Sequence, residues 1–121
     1  MDKDSMAECL KALSDPKRLL LLDLIRNGTQ CNCEFSESLN LQPNLISHHL
    51  RILKEAGLVN IEKDPTDSRW IYYTINKQMY EKLRGYLNYF LDTNRVQVRQ
   101  PTCGPINVIT SIAENITSTA K

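Results

Sequence analysis

The chain has 121 residues and a formal net charge of +1 at pH 7, so it is long enough for one domain with a modest core. The near-neutral charge means that a nucleic-acid-binding role has to rest on motifs and not on bulk charge. No apolar run approaches the roughly 20 residues that span a bilayer, and the acidic N-terminal residues lack the apolar stretch of a signal peptide; together these predict a cytoplasmic protein without a membrane partner.

A first amphipathic helix is predicted over residues 4–13, because apolar residues recur there at helical spacing. These residues are Met6, Cys9, Leu10 and Leu13. Asp15 and Pro16 then supply a capping side chain and a favoured first helical residue, which predicts the start of a second helix. That helix is rich in leucine and is expected to stop at Asn27 and Gly28.

A short helix is predicted at about 33–39, where Phe35 and Leu39 form an apolar pair one turn apart. After a tight break, a fourth helix is expected from about Asn44 to Ala56, with its stop at Gly57. Its polar residues recur at helical spacing and therefore share one face. They are Asn44, Ser47, His48, Arg51 and Glu55.

Residues 58–62 and 69–75 are rich in β-branched and aromatic residues and predict two strands of a hairpin. Asn76 then caps a long predicted helix over about 77–99. We expect one domain over residues 1–99. A C-terminal tail of 100–121 carries Cys103, and its isoleucine spacing is compatible with a short last helix.

This order of elements predicts a mainly α fold with a β-hairpin wing, in which the short helix and the fourth helix form a winged helix-turn-helix unit. The second helix of such a unit lies in the major groove, while the hairpin reaches the adjacent backbone. The predicted DNA-contact residues are Gln42, Asn44, Ser47, His48 and Arg51, with Lys63 and Arg69 on the hairpin. The pattern alone is also compatible with a helical domain whose polar face is simply solvated.

Three segments carry a family resemblance, and they read ALSDPKRLLLLDLI, LQPNLISHHLRILKEAGLV and WIYYTI. Over about residues 8–92, the chain closely resembles the ArsR/SmtB family of metal-sensing repressors. The resemblance implies a homodimer built on the first and the long later helices. It also implies that the protein without effector holds a palindromic operator and that effector binding releases the DNA. Neither a nucleophile–base arrangement nor a Gly-rich phosphate loop occurs in the sequence, so no enzymatic activity is expected.

Cys31 and Cys33 stand at the entrance to the short helix. Within a helix, residues two apart point in nearly opposite directions, but at a helix start, where Cys31 is not yet helical, the two sulfurs can converge. A helix N-terminus favours the thiolate, which selects soft ions. The alternative is that two small residues simply fill a helix cap without a ligand.

The segment TQCNCEFSESL resembles the family's arsenite-sensing motif, in which a third cysteine follows the pair by three residues. Here that position is Ser36, so a three-thiolate arsenite site needs a third cysteine from elsewhere. We predict Cys103 as that ligand, with Cys9 as the weaker candidate. The expected effector is therefore arsenite, and cadmium or lead is the runner-up. The same residues are also compatible with a thiol redox sensor, or with a DNA-architecture module that responds to no effector.

Overall fold

The computed structural model describes residues 1–28 and 31–99, apart from the side chains of residues 32 and 33. The described helices and strands follow one another in the predicted order. They are α1 (Lys3–Ala12), α2 (Pro16–Arg26), α3 (Asn32–Leu39), α4 (Pro43–Glu55), β1 (Val59–Lys63), β2 (Ile71–Ile75), α5 (Lys77–Phe90) and a 3-10 turn (Thr93–Arg95). The predicted mainly α fold with a two-stranded wing is confirmed.

Three helix starts carry a side-chain cap, as their sequences require. The Asp15 carboxylate accepts a hydrogen bond from the Lys17 backbone N–H at 2.7 Å, and Pro16 occupies the first turn of α2. Asn76 caps α5 by accepting from the Met79 N–H at 3.2 Å. The predicted stop after α4 is also present, since Gly57 adopts a φ of +81°.

The core lies where α2, α3, α4 and β2 pack together. Its largest fully buried side chains come from α2, α3, α4 and the residue before β1. They are Phe35, Leu21, Ile46, Leu50, Leu53 and Leu58. The Phe35 ring stands 5.7 Å from that of Tyr73, which ties α3 to the wing.

Strands β1 and β2 pair antiparallel, with Val59 opposite Ile75 and Lys63 opposite Ile71. The second strand begins two residues later than predicted, because Arg69 and Trp70 belong to the turn. Backbone hydrogen bonds fix this turn: the Asp64 N–H donates to the Trp70 carbonyl, and the Trp70 N–H donates to the Asp67 carbonyl.

Helix α1 matches its predicted bounds to within one residue; Met6, Cys9 and Ala12 form its buried face, and Leu10 is 38% exposed. One prediction about the helices was wrong. The long helix predicted over 77–99 ends at Phe90, because Asp92 takes an extended backbone conformation and its carboxylate caps the following 3-10 turn at the Asn94 N–H.

The chain divides into two compact units, Met1–Leu87 and a second that begins at Asn88. Within the second unit, the Arg95 guanidinium lies 3.4 Å from the centre of the Tyr89 ring. The predicted tail, residues 100–121 with Cys103 and the short last helix, lies outside the described residues. Across residues 1–28 and 31–99, no helix is long and apolar enough to cross a bilayer.

Candidate nucleic-acid interface and effector site

Helix α4 presents a polar face to solvent at the positions predicted for DNA contact. Its opposite face is buried through Ile46, His49, Leu50 and Leu53, so the helix is held firmly against the core. The exposed polar residues are Asn44, Ser47, His48, Arg51 and Glu55. These side chains can donate to and accept from base edges, and the rigid backbone beneath them fixes their spacing.

Gln42 and Pro43 begin this helix. The Gln42 side chain makes no capping hydrogen bond and is exposed, while its backbone carbonyl accepts from the N–H groups of Leu45 and Ile46. Further along, Nη2 of Arg51 lies 3.1 Å from Nδ1 of His48. The predicted contact residues of α4 therefore form one continuous exposed strip; their role in DNA binding stays a prediction.

The wing turn is built around Asp64. Its carboxylate accepts hydrogen bonds from the Thr66 N–H and hydroxyl, the Asp67 N–H and the Tyr72 hydroxyl. These bonds, those from Thr66 above all, lower the pKa of Asp64 to about 2. The turn is consequently held in one conformation at neutral pH, with an ionised carboxylate at its centre.

Arg69 pairs with a neighbouring carboxylate of this turn. Its Nε and Nη2 donate to the two carboxylate oxygens of Asp67 at 3.0 and 2.8 Å. The Arg69 side chain is nevertheless 87% exposed, and Lys63 is exposed at the end of β1, so both predicted wing residues lie at the surface. Sequence reasoning missed Trp70 as a surface residue: its side chain is 54% exposed beside Arg69, because it lies in the turn and not in β2.

Cys31 stands ahead of α3 with an extended backbone, φ −119° and ψ 153°, and α3 begins at the next residue. Cys33 follows in the first turn of α3, and its side chain is outside the part of the chain that the structure describes. The Cys31 thiol donates a hydrogen bond to Oε1 of Glu34 at 3.2 Å. The backbone of Cys31 is thus non-helical, as convergence of the two sulfurs requires.

Ser36 occupies the position at which the resemblance places a third cysteine. Its hydroxyl oxygen is buried and has no hydrogen-bond partner within the described part of the chain. A buried hydroxyl without a partner costs folding free energy. The hydrogen bonding of buried polar groups is therefore less complete around α3 than in the rest of the described core.

Cys9, the weaker candidate for the third thiolate, is 2% exposed, and its thiol donates to the Ala56 carbonyl at 3.6 Å. Burial raises the pKa of Cys9, which disfavours the thiolate needed for metal binding. Cys9 therefore packs as a small core residue. Within residues 1–28 and 31–99, side chains 32 and 33 aside, no group of three candidate ligand residues lies together.

Known proteins resemble this chain in both sequence and fold. Residues 15–60 match the family model described as "Bacterial regulatory protein, arsR family". The chain is 39% identical over 83 residues to the uncharacterized HTH-type transcriptional regulator MJ1325 of Methanocaldococcus jannaschii, an alignment that covers 67% of this chain and 90% of that protein. It is 34% identical over 87 residues to the transcriptional repressor SdpR of Bacillus subtilis, covering 72% and 90%.

The arsenical resistance operon repressor of Staphylococcus xylosus is 33% identical over 89 residues, covering 74% of this chain and 76% of that protein. Among solved structures, a homodimeric winged helix-turn-helix DNA-binding domain from Mycobacterium bovis, Mb0332, is similar with a TM-score of 0.58 at 26% identity, covering 75% and 82%. A possible transcriptional regulator for arsenical resistance is similar with a TM-score of 0.59 at 28% identity, covering 74% and 98%.

Proposed function

Since the chain belongs to the ArsR family of DNA-binding transcriptional repressors and is not an enzyme, we propose that it binds operator DNA as a cytoplasmic homodimer and is released by trivalent arsenic, supplied as arsenite. In this proposal α4 is the reading helix. The observation that carries the arsenic proposal is the extended Cys31 at the start of a Cys-X-Cys pair, on a helix that packs directly against the reading helix.

DNA contact is assigned to the exposed strip of α4 and to the wing. Asn44 and Arg51 offer the amide and guanidinium groups that pair with adenine and guanine edges. Lys63 and Arg69 contact the phosphate backbone, and the Nη1 group of the exposed Arg69 is not used in its pair with Asp67. The near-neutral net charge makes this local geometry, and not a long-range field, the basis of binding.

Dimerisation is supported by an apolar surface that a single copy leaves uncovered. Leu10, Leu19 and Leu20 are 38%, 47% and 49% exposed. Beside them, a groove of about 610 Å³ is lined chiefly by leucines of α2 and α5. A second copy of this chain would bury these side chains, as apolar patches of this kind require.

Arsenite favours three thiolates, and the proposed set is Cys31, Cys33 and Cys103. Drawing these sulfurs onto one ion displaces the Cys31 thiol from Glu34 and reshapes the first turn of α3. Because α3 packs on α4, the reading helix moves with it. Release requires that the ion bind the DNA-incompetent state more tightly than the DNA-bound state. An ion that bound both states equally would not shift the equilibrium between them.

The carboxylate of Glu34 beside Cys31 favours a second candidate effector. Two thiolates and a carboxylate oxygen suit cadmium or lead, which accept mixed ligand sets. A thiol redox sensor uses the same cysteines without any ion.

Operator-binding titration by fluorescence anisotropy tests the proposal, with reduced protein and DNA from its own upstream region. Arsenite, cadmium, lead and zinc are added separately. We expect release by arsenite at low stoichiometry, with Cys31→Ser and Cys33→Ser each retaining operator binding but losing release, because each removes one thiolate. Loss of release in Cys103→Ser identifies the third ligand.

The matched control is Arg51→Ala, which should weaken operator binding and leave arsenite binding unchanged, since Arg51 lies on the DNA strip and not at the start of α3. Normal arsenite release from Cys31→Ser would refute the Cys-X-Cys site. Release by cadmium or lead alone would make the protein a divalent sensor. Release by oxidant but by no ion would make it a redox sensor.

A further inference from the structure

Among the described residues, His49 is the buried polar one, with 6% of its surface exposed, and it lies on the core side of the reading helix. Its Nδ1 stands 3.2 Å from Nη1 of Arg18 in α2. Burying a polar ring on an otherwise apolar helix face costs folding free energy unless its nitrogens form hydrogen bonds. The contact with Arg18 supplies such a bond to Nδ1.

Arg18 is itself largely buried, with 12% of its side chain exposed. Its Nε donates to the Ala12 carbonyl at 2.6 Å, and its Nη2 donates to the Lys11 carbonyl at 3.3 Å. These carbonyls end α1, where helical backbone oxygens lack partners and a cation is favoured. One guanidinium therefore joins the C-terminal end of α1 to the middle of α4.

The geometry requires one protonation state of His49. A guanidinium has donors and no acceptor, so Nδ1 has to accept, with the imidazole neutral and its proton on Nε2. A protonated His49 would place a second cation against Arg18 and would break the contact.

The surroundings of His49 favour the neutral ring. Burial lowers the pKa of His49 below its ordinary value. The Asp15 carboxylate opposes that shift, while positive charge on Arg18, His48 and Lys17 lowers the pKa further. From α1, two backbone carbonyls accept from Arg18, and the side chains of Glu8 and Lys11 line a small pocket beside it together with Glu55 of α4.

His49 sits next to His48, which lies on the exposed strip, and their ring centres are 5.6 Å apart. His49 therefore connects the core side of α4 to a residue of its exposed strip. We propose that Arg18 is a positioning residue for operator binding, acting through a neutral His49 to hold the reading helix against the end of α1, so that acidification weakens operator affinity. The inference rests on operator binding by α4 and is independent of the effector.

The test measures operator affinity by anisotropy from about pH 5.5 to about pH 8, without effector, in the unsubstituted chain and in His49→Asn. The difference between the two pH profiles isolates His49, because the other titrating groups are common to both chains. We expect the affinity of the unsubstituted chain to fall about three- to tenfold relative to His49→Asn on acidification, since a protonated His49 leaves Arg18 and has to lose that proton before α4 takes the position that binds the operator. Binding at the high-pH end shows that the repressor function itself is intact.

The matched variants are His49→Asn and His49→Leu. The Asn side chain places a neutral acceptor where Nδ1 lies, so it should recover most of the affinity that His49→Leu loses and should abolish the pH dependence. Arg18→Lys, which cannot bridge three acceptors at once, should weaken binding at every pH. If His49→Asn kept the pH profile of the unsubstituted chain, the proposal would be overturned. A role of His49 in packing alone would not make operator affinity depend on pH.

A measurement on the unsubstituted chain keeps the proposal testable if the His49 variants do not fold. Nitrogen-15 NMR of the imidazoles reports the tautomer of His49 directly. We expect the form protonated at Nε2 near pH 7, with protonation of Nδ1 only at a pH below the ordinary histidine pKa. A proton on Nδ1 at neutral pH would contradict the contact and with it the proposed role of Arg18.

Discussion

The first turns of α2 and α3 differ in whether the side chain of the N-cap residue caps the helix. At α2, the Asp15 carboxylate caps the Lys17 N–H at 2.7 Å, and Pro16 fits the first helical position. At α3, the residue in the capping position is Cys31, whose side chain makes no capping hydrogen bond and instead donates to Glu34. One helix start is capped by the side chain of its N-cap residue, while the other has an N-cap residue whose side chain does not cap.

This difference has an energetic meaning. A good capping side chain contributes about 1 kcal/mol to the stability of a helix start, so the first turn of α3 can be rearranged at lower cost than that of α2. Sulfur is a weak acceptor but a strong ligand for soft ions. A residue that caps poorly and binds ions well suits a position where an effector has to alter local structure without unfolding the domain.

The largest expected effect comes from removing the anchor that holds α3 despite its weak start. Phe35 is fully buried and contacts Tyr73 of the wing. Phe35→Ala should lower the free energy of unfolding by about 3–5 kcal/mol, because it removes apolar contacts and leaves a cavity. Urea denaturation measures the loss, and hydrogen exchange should show that α3 loses protection before α2.

Ser38→Ala is the matched control on the exposed side of the same helix, and its effect should stay within about 0.5 kcal/mol. Equal loss of protection in α2 and α3 after Phe35→Ala would show that the two helices unfold as one unit. The inference that the first turn of α3 rearranges at lower cost than that of α2 would then be wrong.

A smaller effect is expected from removing the cap of α2. Asp15→Ala leaves the Lys17 N–H without its acceptor and should lower Tm by a few degrees. The hydrogen bond from Lys17 lowers the pKa of Asp15 below its ordinary value. Its stabilising contribution is therefore present above the ordinary carboxyl pKa and is lost as the pH falls through the lowered value in the folded state.

Asp15→Asn separates the cap from the charge, because asparagine caps well but does not titrate in this range. It should retain most of the stability of the parent at neutral pH and remove this part of the acid dependence, as thermal unfolding at several pH values would show. If Asp15→Ala leaves Tm unchanged, the start of α2 does not depend on its cap, and the contrast with α3 disappears.

Local sequence signals predicted most of the fold, because they describe interactions between residues near in the chain. The cap and proline of α2, the stop at Gly57 and the cap at Asn76 all appear where the sequence placed them. The polar face of α4 was equally predictable, since helical spacing alone decides which residues share a face. For the same reason Cys31 was expected ahead of the short helix.

Features that depend on competing or distant partners were not predictable in this way. The strand pattern reached Arg69, but hydrogen bonds accepted by the carboxylates of Asp64 and Asp67 hold that segment as a turn. The contact between Arg18 and His49 joins residues 31 apart, so no local spacing indicates it. The end of the long helix after the wing was missed because an apolar stripe takes no account of the capping preference of Asp92.

The smallest predicted effect is also the most selective test of the comparison between the two helix starts. Serine caps a helix well, so Cys31→Ser should raise the free energy of unfolding by about 0.5–1 kcal/mol in the absence of any effector. Cys33→Ser makes the same chemical change inside the helix, where no cap is needed, and should give no such increase.

Urea denaturation of both reduced variants measures the difference. If Cys31→Ser is destabilised to the same extent as Cys33→Ser, the first turn of α3 gains nothing from a capping hydroxyl, and the proposed response to an ion has to come from another source. A gain confined to position 31 would mean that the chain gives up stability there by carrying a thiol in place of a cap.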